Sequence, residues 1–264
     1  MTESISPDAL AAPLQTRGWC IVPSFIGEGL IESVRAQLEP ALQLRDAVRR
    51  RNRVEGNNDG TLHHLLADHP AYLQIIDALE PLDPVFKWYF SGNYILNSYG
   101  GVINRKNTVA YVHQVHRDIR FSSDTKRFML NLLIMLDPFT LENGATHLLS
   151  GSQHMPQKPD SQEFVERAER GIGPCGSLLL FDSRLWHATG QNHGNDSRRA
   201  LTLTFTSPFF KQQLDYPRLL GYDRQTSLSP FARQVIGYNA RVPSSLDEYY
   251  VPVNERFYQR GQDD

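Results

Sequence analysis

The sequence is poor in cysteine, in long apolar runs and in net charge. Cys20 and Cys175 are the only cysteines among 264 residues, which excludes a framework of several disulfides and makes a reducing cytoplasm the expected location. No apolar run approaches the roughly 20 residues of a membrane-spanning helix, and the first residues lack the basic and apolar segments of a secretory signal. The 27 basic and 29 acidic side chains nearly cancel, so the overall charge favours neither nucleic acid nor a membrane as a partner.

The first third of the chain combines one short extended segment with helical patterns. Residues 18–26 (GWCIVPSFI) predict a short strand, and apolar residues recur from Gly29 at the three- and four-residue steps of a helix. A second helix is expected over residues 62–79, with an interruption near Pro70. These patterns predict an N-terminal helical flank over about residues 1–85.

Two polar features of this flank stay open. The basic residues within 45–53 (RDAVRRRNR) suit a solvated helix C-terminus, and contact with a phosphate is the alternative. His63, His64 and His69 have no acidic partner at a familiar ligand spacing, so packing or surface roles are expected for all three.

The pattern changes after Pro84 to short aromatic and β-branched runs separated by Gly, Pro and Asn. Many short strands at such spacing predict a mainly β protein with flanking helices, built as a double-stranded β-helix of the jelly-roll or cupin-like kind. We expect its core over about residues 86–210, with a helical insertion at 162–170, and an extension over 211–264 that folds back on the barrel. No linker or repeat interrupts the pattern, so residues 1–264 are expected to form a single domain.

The stretch YVHQVHRDIRF, residues 111–121, contains a candidate metal site. If HQVHRD is an unbroken strand, alternate residues share a face, so Gln114, His116 and Asp118 point one way. His113 then points the other way and is expected to pack or to support a ligand. An H-x-D pair is weak evidence by itself, because two residue types at this spacing often occur by chance.

A third ligand candidate follows a strongly apolar strand in GSLLLFDSRLWHATGQN, where His187 stands 69 residues after Asp118. Facing strands of a jelly roll converge on its interior, so His187 can join His116 and Asp118. Two histidines and one carboxylate form the facial triad of non-haem Fe(II) oxygenases, which leaves coordination positions open.

Arg198 opens the strand-like segment RRALTLTF, eleven residues after His187. An arginine that points into a barrel is costly unless an anion pairs with it. A dicarboxylate cosubstrate can supply that anion through two parallel hydrogen bonds. The alternative is a surface arginine at the start of a strand.

Taken together, HRD, ENGATHLLSGSQH and GSLLLFDSRLWHATGQNHGNDSRRAL resemble the phytanoyl-CoA dioxygenase family of Fe(II)/2-oxoglutarate oxygenases. The resemblance covers about residues 90–210. It implies iron ligation by His116, Asp118 and His187. It also implies a grip by Arg198 on the distal carboxylate of 2-oxoglutarate, with Asn131 as a polar residue near the cosubstrate.

This resemblance implies an Fe(II)/2-oxoglutarate-dependent dioxygenase that uses O2 to hydroxylate a small molecule or to close a ring on it. A carboxylate at Asp118 argues against halogenation, since related halogenases have a small residue there. Hydrogen-bonding side chains favour a small polar metabolite, such as a sugar, aminocyclitol or amino-acid derivative in a biosynthetic tailoring pathway. The candidate contacts are Asn97, Tyr99, Asn104 and Gln114.

Two alternatives remain at the level of sequence, and oligomeric state has no signal. A zinc-dependent hydrolase could use the same two histidines and aspartate, although it leaves Arg198 unexplained. A non-catalytic metal- or ligand-binding jelly-roll module is the second alternative, although all three ligands and the arginine are present.

Overall fold

The structure is a computed structural model that describes residues 4–56, 58–107, 110–119 and 126–256. Helices predominate at both ends of this part of the chain, and strands predominate in its middle. The α-helices are α1 Pro7–Thr16, α2 Glu28–Arg51, α3 Pro70–Ala78, α4 Asp83–Phe90, α5 Ser161–Arg167, α6 Tyr216–Leu220, α7 Pro230–Ile236 and α8 Leu246–Tyr249. The strands are β1 Trp19–Val22, β2 Thr61–Leu62, β3 Ile95–Asn104, β4 Met129–Met135, β5 Thr146–Leu148, β6 Glu169–Gly171, β7 Leu178–Asp182, β8 His187–Ala188 and β9 Arg198–Thr206.

Two antiparallel sheets organise the described strands. The larger has the order β1-β7-β4-β9-β3-β2, and the smaller has the order β6-β5-β8. A single bridge between His116 and His187 ties the smaller sheet to the segment that precedes β4. The prediction of a mainly β jelly roll with flanking helices is confirmed.

Strand alternation in β4 and β9 separates the core from the pocket. Leu201, Leu203 and Phe205 belong to the main apolar cluster, together with Leu38 of α2 and Ile75 of α3. The residues between them on β9 line a pocket inside the jelly roll. Because side chains of a strand alternate between its faces, one strand both anchors the helices and supplies the pocket wall.

The N-terminal flank contributes strands as well as helices. β1 pairs with β7 and β2 pairs with β3, so both edges of the larger sheet come from this flank. The expected helix over 62–79 begins only at Pro70, where the His69 ring nitrogen accepts a hydrogen bond from the Ala71 N–H and caps the helix. Residues 63–69 instead form a loop beside the pocket.

The segment after Phe209 packs back on the barrel. Gln212 donates to the carbonyl of Leu96 on β3, and the Asn97 amide donates to the carbonyl of Lys211. Tyr216 is fully buried. In the described ranges, no helix combines the length and the apolar content needed to cross a membrane.

Candidate active site

Three side chains with metal-ligating atoms converge at one end of the pocket. One ligand atom from each of His116, Asp118 and His187 lies within 4.8 Å of the others. His116 Nε2 is 3.5 Å from one Asp118 carboxylate oxygen, and His187 Nε2 is 3.8 Å from the other. The structure therefore brings together the three residues that the sequence predicted as metal ligands.

The backbone that carries His116 and Asp118 is not the unbroken strand that the sequence predicted. Residues Tyr111–His113 form a 3-10 turn, and only His116 pairs with a neighbouring strand. His116 and His187 exchange backbone N–H···O bonds of 3.0 and 2.9 Å, whereas the Asp118 N–H donates to the carbonyl of Ser183 at 3.0 Å. The expectation is wrong because β8 is only two residues long, so it offers no ladder beyond one bridge.

His113 lies outside the group of three, as predicted. The cause is the 3-10 turn at residues 111–113 rather than strand alternation. In the 3-10 turn, its Nδ1 faces the backbone of Ala110, whose N–H lies 3.0 Å away. Its Nε2 is buried without a hydrogen-bond partner among the described residues. Burial lowers the pKa of this imidazole, and the nearby positive charge of Arg198 lowers it further.

Each histidine of the group is oriented by a carbonyl two residues upstream. His116 Nδ1 donates to Gln114 O at 2.8 Å, and His187 Nδ1 donates to Leu185 O at 2.9 Å. This tautomer leaves the Nε2 lone pair free for a metal. Burial lowers the pKa of His187 to about 4, so this imidazole stays neutral near pH 7 and ready to bind a cation.

Arg198 carries a buried positive charge on the same pocket wall. It is 1% exposed, and its guanidinium carbon lies 4.3 Å from the centre of the Phe139 ring. Burial lowers its pKa to about 10, so it remains charged near pH 7. Its Nε has no hydrogen-bond partner in the described part of the chain.

Asp137 is the acidic residue whose charge acts on Arg198, but it forms an ion pair with Arg199. Asp137 raises the pKa of Arg198 against the effect of burial, but its two carboxylate oxygens accept from the Arg199 side chain at 2.8 and 2.9 Å. Among the described residues, no carboxylate forms an ion pair with Arg198. A buried guanidinium in this condition can bind an anionic ligand.

Asn131 contacts a metal-ligand candidate. On β4 it is 4% exposed, and its Nδ2 donates to the Asp118 carboxylate at 2.6 Å. Its carbonyl oxygen accepts from the Thr204 hydroxyl at 3.2 Å. A contact between Asn131 and the cosubstrate stays a prediction.

Comparison with known proteins gives the family. The family model for phytanoyl-CoA dioxygenase (PhyH) matches residues 14–200, which is more than half of the chain. The chain belongs to the phytanoyl-CoA dioxygenase family. The recognition made from the sequence motifs is confirmed.

Curated relatives of this family member include bacterial and fungal proteins. The uncharacterized protein Rv1501 of Mycobacterium tuberculosis is 41% identical over 133 residues, which cover 50% of this chain and 49% of that protein. The match thus spans about half the length of the mycobacterial relative. Dioxygenase trt7 of Aspergillus terreus is 26% identical over 259 residues, with 89% of this chain and 85% of that protein covered. Iron/alpha-ketoglutarate-dependent dioxygenase penM of Penicillium thymicola is 26% identical over 248 residues, with 86% and 77% covered.

Solved structures share the fold of this family member. HygX from Streptomyces hygroscopicus, crystallised with nickel and 2-oxoglutarate, has a TM-score of 0.60 at 17% identity, covering 79% of this chain and 90% of that one. AviO1 from Streptomyces viridochromogenes Tue57 has a TM-score of 0.57 at 19% identity, covering 79% and 98%. At these identities the likeness shows the fold alone.

The residues predicted to contact substrate have different surroundings in this member of the family. Tyr99 lies among the pocket-lining residues, but its hydroxyl donates to the carbonyl of Tyr72. The Asn97 and Asn104 amides donate to the carbonyls of Lys211 and Gly190. Gln114 is exposed and, like both asparagines, is absent from the described pocket lining. Their roles toward a substrate remain predictions.

The far end of the pocket contains residues that the sequence reasoning missed. The cavity has a volume of about 370 Å³ and extends from the metal-ligand candidates to His63, His64 and Gln213. Packing or surface roles were expected for both histidines. Their sequence spacing gives no sign of a pocket, because only the pairing of β2 with β3 brings them there.

His64 has a positive φ angle, which is unusual for a non-glycine residue, and hydrogen bonds from two other segments hold it in place. Its φ is 57°, in the left-handed region, which is favoured by few residues and often marks functional sites. Arg45 donates to the carbonyls of His63 and His64 at 2.5 and 2.7 Å. The Tyr216 hydroxyl lies 3.0 Å from His64 Nδ1. Part of the basic run on α2 therefore holds this loop in place.

The ring of His64 is uncharged near pH 7, because burial and the charge of Arg45 lower its pKa. Burial raises the pKa of Tyr216, so the Tyr216 hydroxyl keeps its proton and can donate it to His64 Nδ1. A neutral imidazole that accepts at Nδ1 carries its proton on Nε2 and can donate from there.

Proposed function

We propose that this chain is an Fe(II)- and 2-oxoglutarate-dependent dioxygenase that oxidises a small polar metabolite by hydroxylation or oxidative ring closure. The observation that carries the proposal is a buried Arg198 with no ion-pair partner among the described residues, in the pocket that also contains His116, Asp118 and His187. A metal site by itself explains His116, Asp118 and His187, but it leaves Arg198 unexplained. A metal site beside an anion site fits a metal that acts together with an anionic cosubstrate.

The donor set fits Fe(II). His116 and His187 offer neutral nitrogens, Asp118 offers a carboxylate oxygen, and no cysteine lines the described pocket. Imidazole and carboxylate ligands suit a non-haem iron, and three protein ligands leave other positions for cosubstrate and O2. With O2, iron and 2-oxoglutarate bound at this site would supply an oxidant: one oxygen atom would enter succinate as the cosubstrate loses CO2, and the other would be available to oxidise the substrate.

The protein residues orient the reactants and exclude solvent. Arg198 fixes the distal carboxylate of the cosubstrate through charge-assisted hydrogen bonds, and Phe139 covers one face of its guanidinium. The Thr146 hydroxyl, on the same pocket, is buried without a partner among the described residues and provides a further donor for that carboxylate. Phe181 packs 4.7 Å from the His187 ring and shields it from water.

The far end of the pocket supports an uncharged, oxygen-bearing substrate. Among the described residues that line the whole pocket, Asp118 and Arg198 are the charged ones, and the metal and the cosubstrate use both. The other polar lining residues are uncharged and include Thr61, His63, His64, Ser98, Thr202 and Gln213. With the Tyr216 hydroxyl donating to Nδ1, His64 offers its Nε2–H to a hydroxyl, ether or carbonyl oxygen. A sugar, aminocyclitol or amino-acid derivative offers such groups.

A panel of small polar metabolites tests the proposal. Protein purified without oxygen is assayed for metal content and for 2-oxoglutarate consumption with each compound. We expect iron-dependent succinate formation that one class of neutral, oxygen-rich compounds stimulates. His187→Ala is the matched control and should form no succinate. Tightly retained zinc with no 2-oxoglutarate turnover would contradict the proposal and favour the hydrolase alternative.

A further inference from the structure

Among the described residues, each metal-ligand candidate has a hydrogen-bond partner that orients it, and these partners are of two kinds. The histidines His116 and His187 are oriented by backbone carbonyls. Asp118 is oriented by a side chain, because its carboxylate accepts from Asn131 Nδ2 at 2.6 Å. The Asp118 orientation is therefore the one that a single substitution can remove without altering the ligand itself.

Asn131 is well placed to hold its own position. It lies on β4, which is paired on both sides, opposite Phe181 of β7 and Thr204 of β9. The Thr204 hydroxyl donates to the Asn131 carbonyl oxygen at 3.2 Å. The contact with Asp118 assigns the amide orientation, because the opposite orientation would place the Asn131 amide oxygen against the Asp118 carboxylate.

The Asp118 side chain needs this hydrogen bond from Asn131, because the local backbone does little to fix the side-chain orientation. It follows the isolated bridge at His116 and lies in a bend rather than a strand. Its side chain is 37% exposed, against 8% for His187. The Ser183 carbonyl fixes the backbone N–H of Asp118, but this bond leaves the side-chain torsions free. In the described structure, the Asn131 amide is the group that fixes them.

We propose that Asn131 is a positioning residue that sets the orientation of the Asp118 carboxylate for the metal, with Thr204 holding the amide in place. The inference rests on the proposed function for the presence of a metal. It differs from the expectation that Asn131 contacts the cosubstrate, because a positioning role acts on metal affinity before any cosubstrate binds. Partners of metal ligands commonly contribute a factor of about 10–100 to metal affinity.

Two titrations of the full chain separate these roles. Co(II), which has a visible spectrum, is titrated into metal-free wild type, Asn131→Leu and Thr204→Val in the absence of 2-oxoglutarate. Then 2-oxoglutarate is titrated into each protein at saturating Co(II). We expect Asn131→Leu to raise the Co(II) dissociation constant about 10–100-fold and to alter the Co(II) spectrum, while 2-oxoglutarate affinity at saturating metal is unchanged. Thr204→Val should act in the same direction by a smaller factor.

Thr206→Val is the matched control for Thr204→Val. Thr206 is two residues further along β9, its hydroxyl is buried without a partner among the described residues, and it does not line the described pocket. Its removal should leave Co(II) affinity unchanged. Thermal unfolding is followed for every variant, and Asn131→Val, with a side chain suited to a strand, replaces Asn131→Leu if the latter does not fold.

Each result decides a different point. Wild-type Co(II) affinity in a folded Asn131 variant overturns the positioning role, as does a loss confined to 2-oxoglutarate affinity, which would indicate a direct cosubstrate contact. If wild type binds no Co(II) and His116→Ala behaves identically, the proposed function fails and the positioning role fails with it.

Discussion

The two ends of the pocket are built in different ways. At the metal end, His116, Asp118 and His187 come from segments with recognisable local motifs, and both histidines are oriented by carbonyls two residues away. At the far end, His64 is held by Arg45 from α2 and by Tyr216 from the C-terminal extension. The proposed metal chemistry therefore depends on residues in local motifs, whereas the proposed substrate contacts depend on packing between distant parts of the chain.

The largest expected effect lies at the metal end. His187→Ala removes one of three ligands, and we expect it to abolish metal binding at the site and succinate formation. Anaerobic metal analysis and a succinate assay measure both. His113→Ala should retain the metal, because His113 lies outside the ligand group. Metal loss in His113→Ala would show that the group is larger than three.

A substitution at Arg198 should weaken cosubstrate binding without weakening metal binding, although both belong to the metal end of the pocket. Arg198→Met removes charge-assisted hydrogen bonds of about 1.5–3 kcal/mol, so the 2-oxoglutarate dissociation constant should rise at least about tenfold while metal affinity is kept. Calorimetric titration measures both. 2-Oxobutanoate lacks the distal carboxylate and should bind wild type and variant equally. Equal 2-oxoglutarate affinity in the two proteins would remove Arg198 from its assigned role.

Acid should destabilise the metal-free protein through two histidines, the buried His187 and the half-buried His147. Burial lowers the pKa of His187 and of His147 to about 4, below the value of about 6.5 for an unfolded chain. The unfolded state therefore takes up protons first, and the free energy of unfolding should fall as the pH falls from about 6.5 towards 4. Urea unfolding at several pH values measures this fall. His187→Gln should make it shallower; an unchanged slope would contradict the assignment.

The smallest expected effect lies at the far end. Tyr216→Phe removes the hydroxyl that lies beside His64 Nδ1, and His64→Phe removes both ring nitrogens but keeps a ring. A hydrogen bond contributes about 0.5–1.5 kcal/mol, so the KM for the substrate found by the metabolite panel should rise about two- to tenfold in each variant. Metal and 2-oxoglutarate affinity should stay at wild-type values. A fall in metal affinity instead would mean that the two ends are not independent.

Much of the metal end could be predicted from the sequence, because the residues of each motif lie close together along the chain. His116 and Asp118 are two residues apart, and His187 and Arg198 are eleven apart, each pair within one segment. The predicted strand through His113 was wrong, since a short partner strand permits only one bridge there. The strand predicted to begin at Arg198 was right, because β9 is paired along its length on both sides.

The far end of the pocket could not be predicted, because its contacts join residues that are far apart in the sequence. His64 is brought to the pocket by pairing between β2 and β3, nearly forty residues apart, and is fixed by Tyr216 from a segment 152 residues further along the chain. No local pattern encodes contacts of this range. Gln213 enters the pocket lining in the same way, through packing of the C-terminal extension on β3.

The account rests most directly on one measurement: anaerobic titration of wild type with Fe(II), followed by 2-oxoglutarate, with His187→Ala and Arg198→Met in parallel. We predict one Fe(II) per chain in wild type, 2-oxoglutarate binding that requires the metal, loss of both in His187→Ala, and weakened 2-oxoglutarate binding alone in Arg198→Met. Metal-independent binding of 2-oxoglutarate, or none in metal-loaded wild type, would contradict a shared site for metal and cosubstrate.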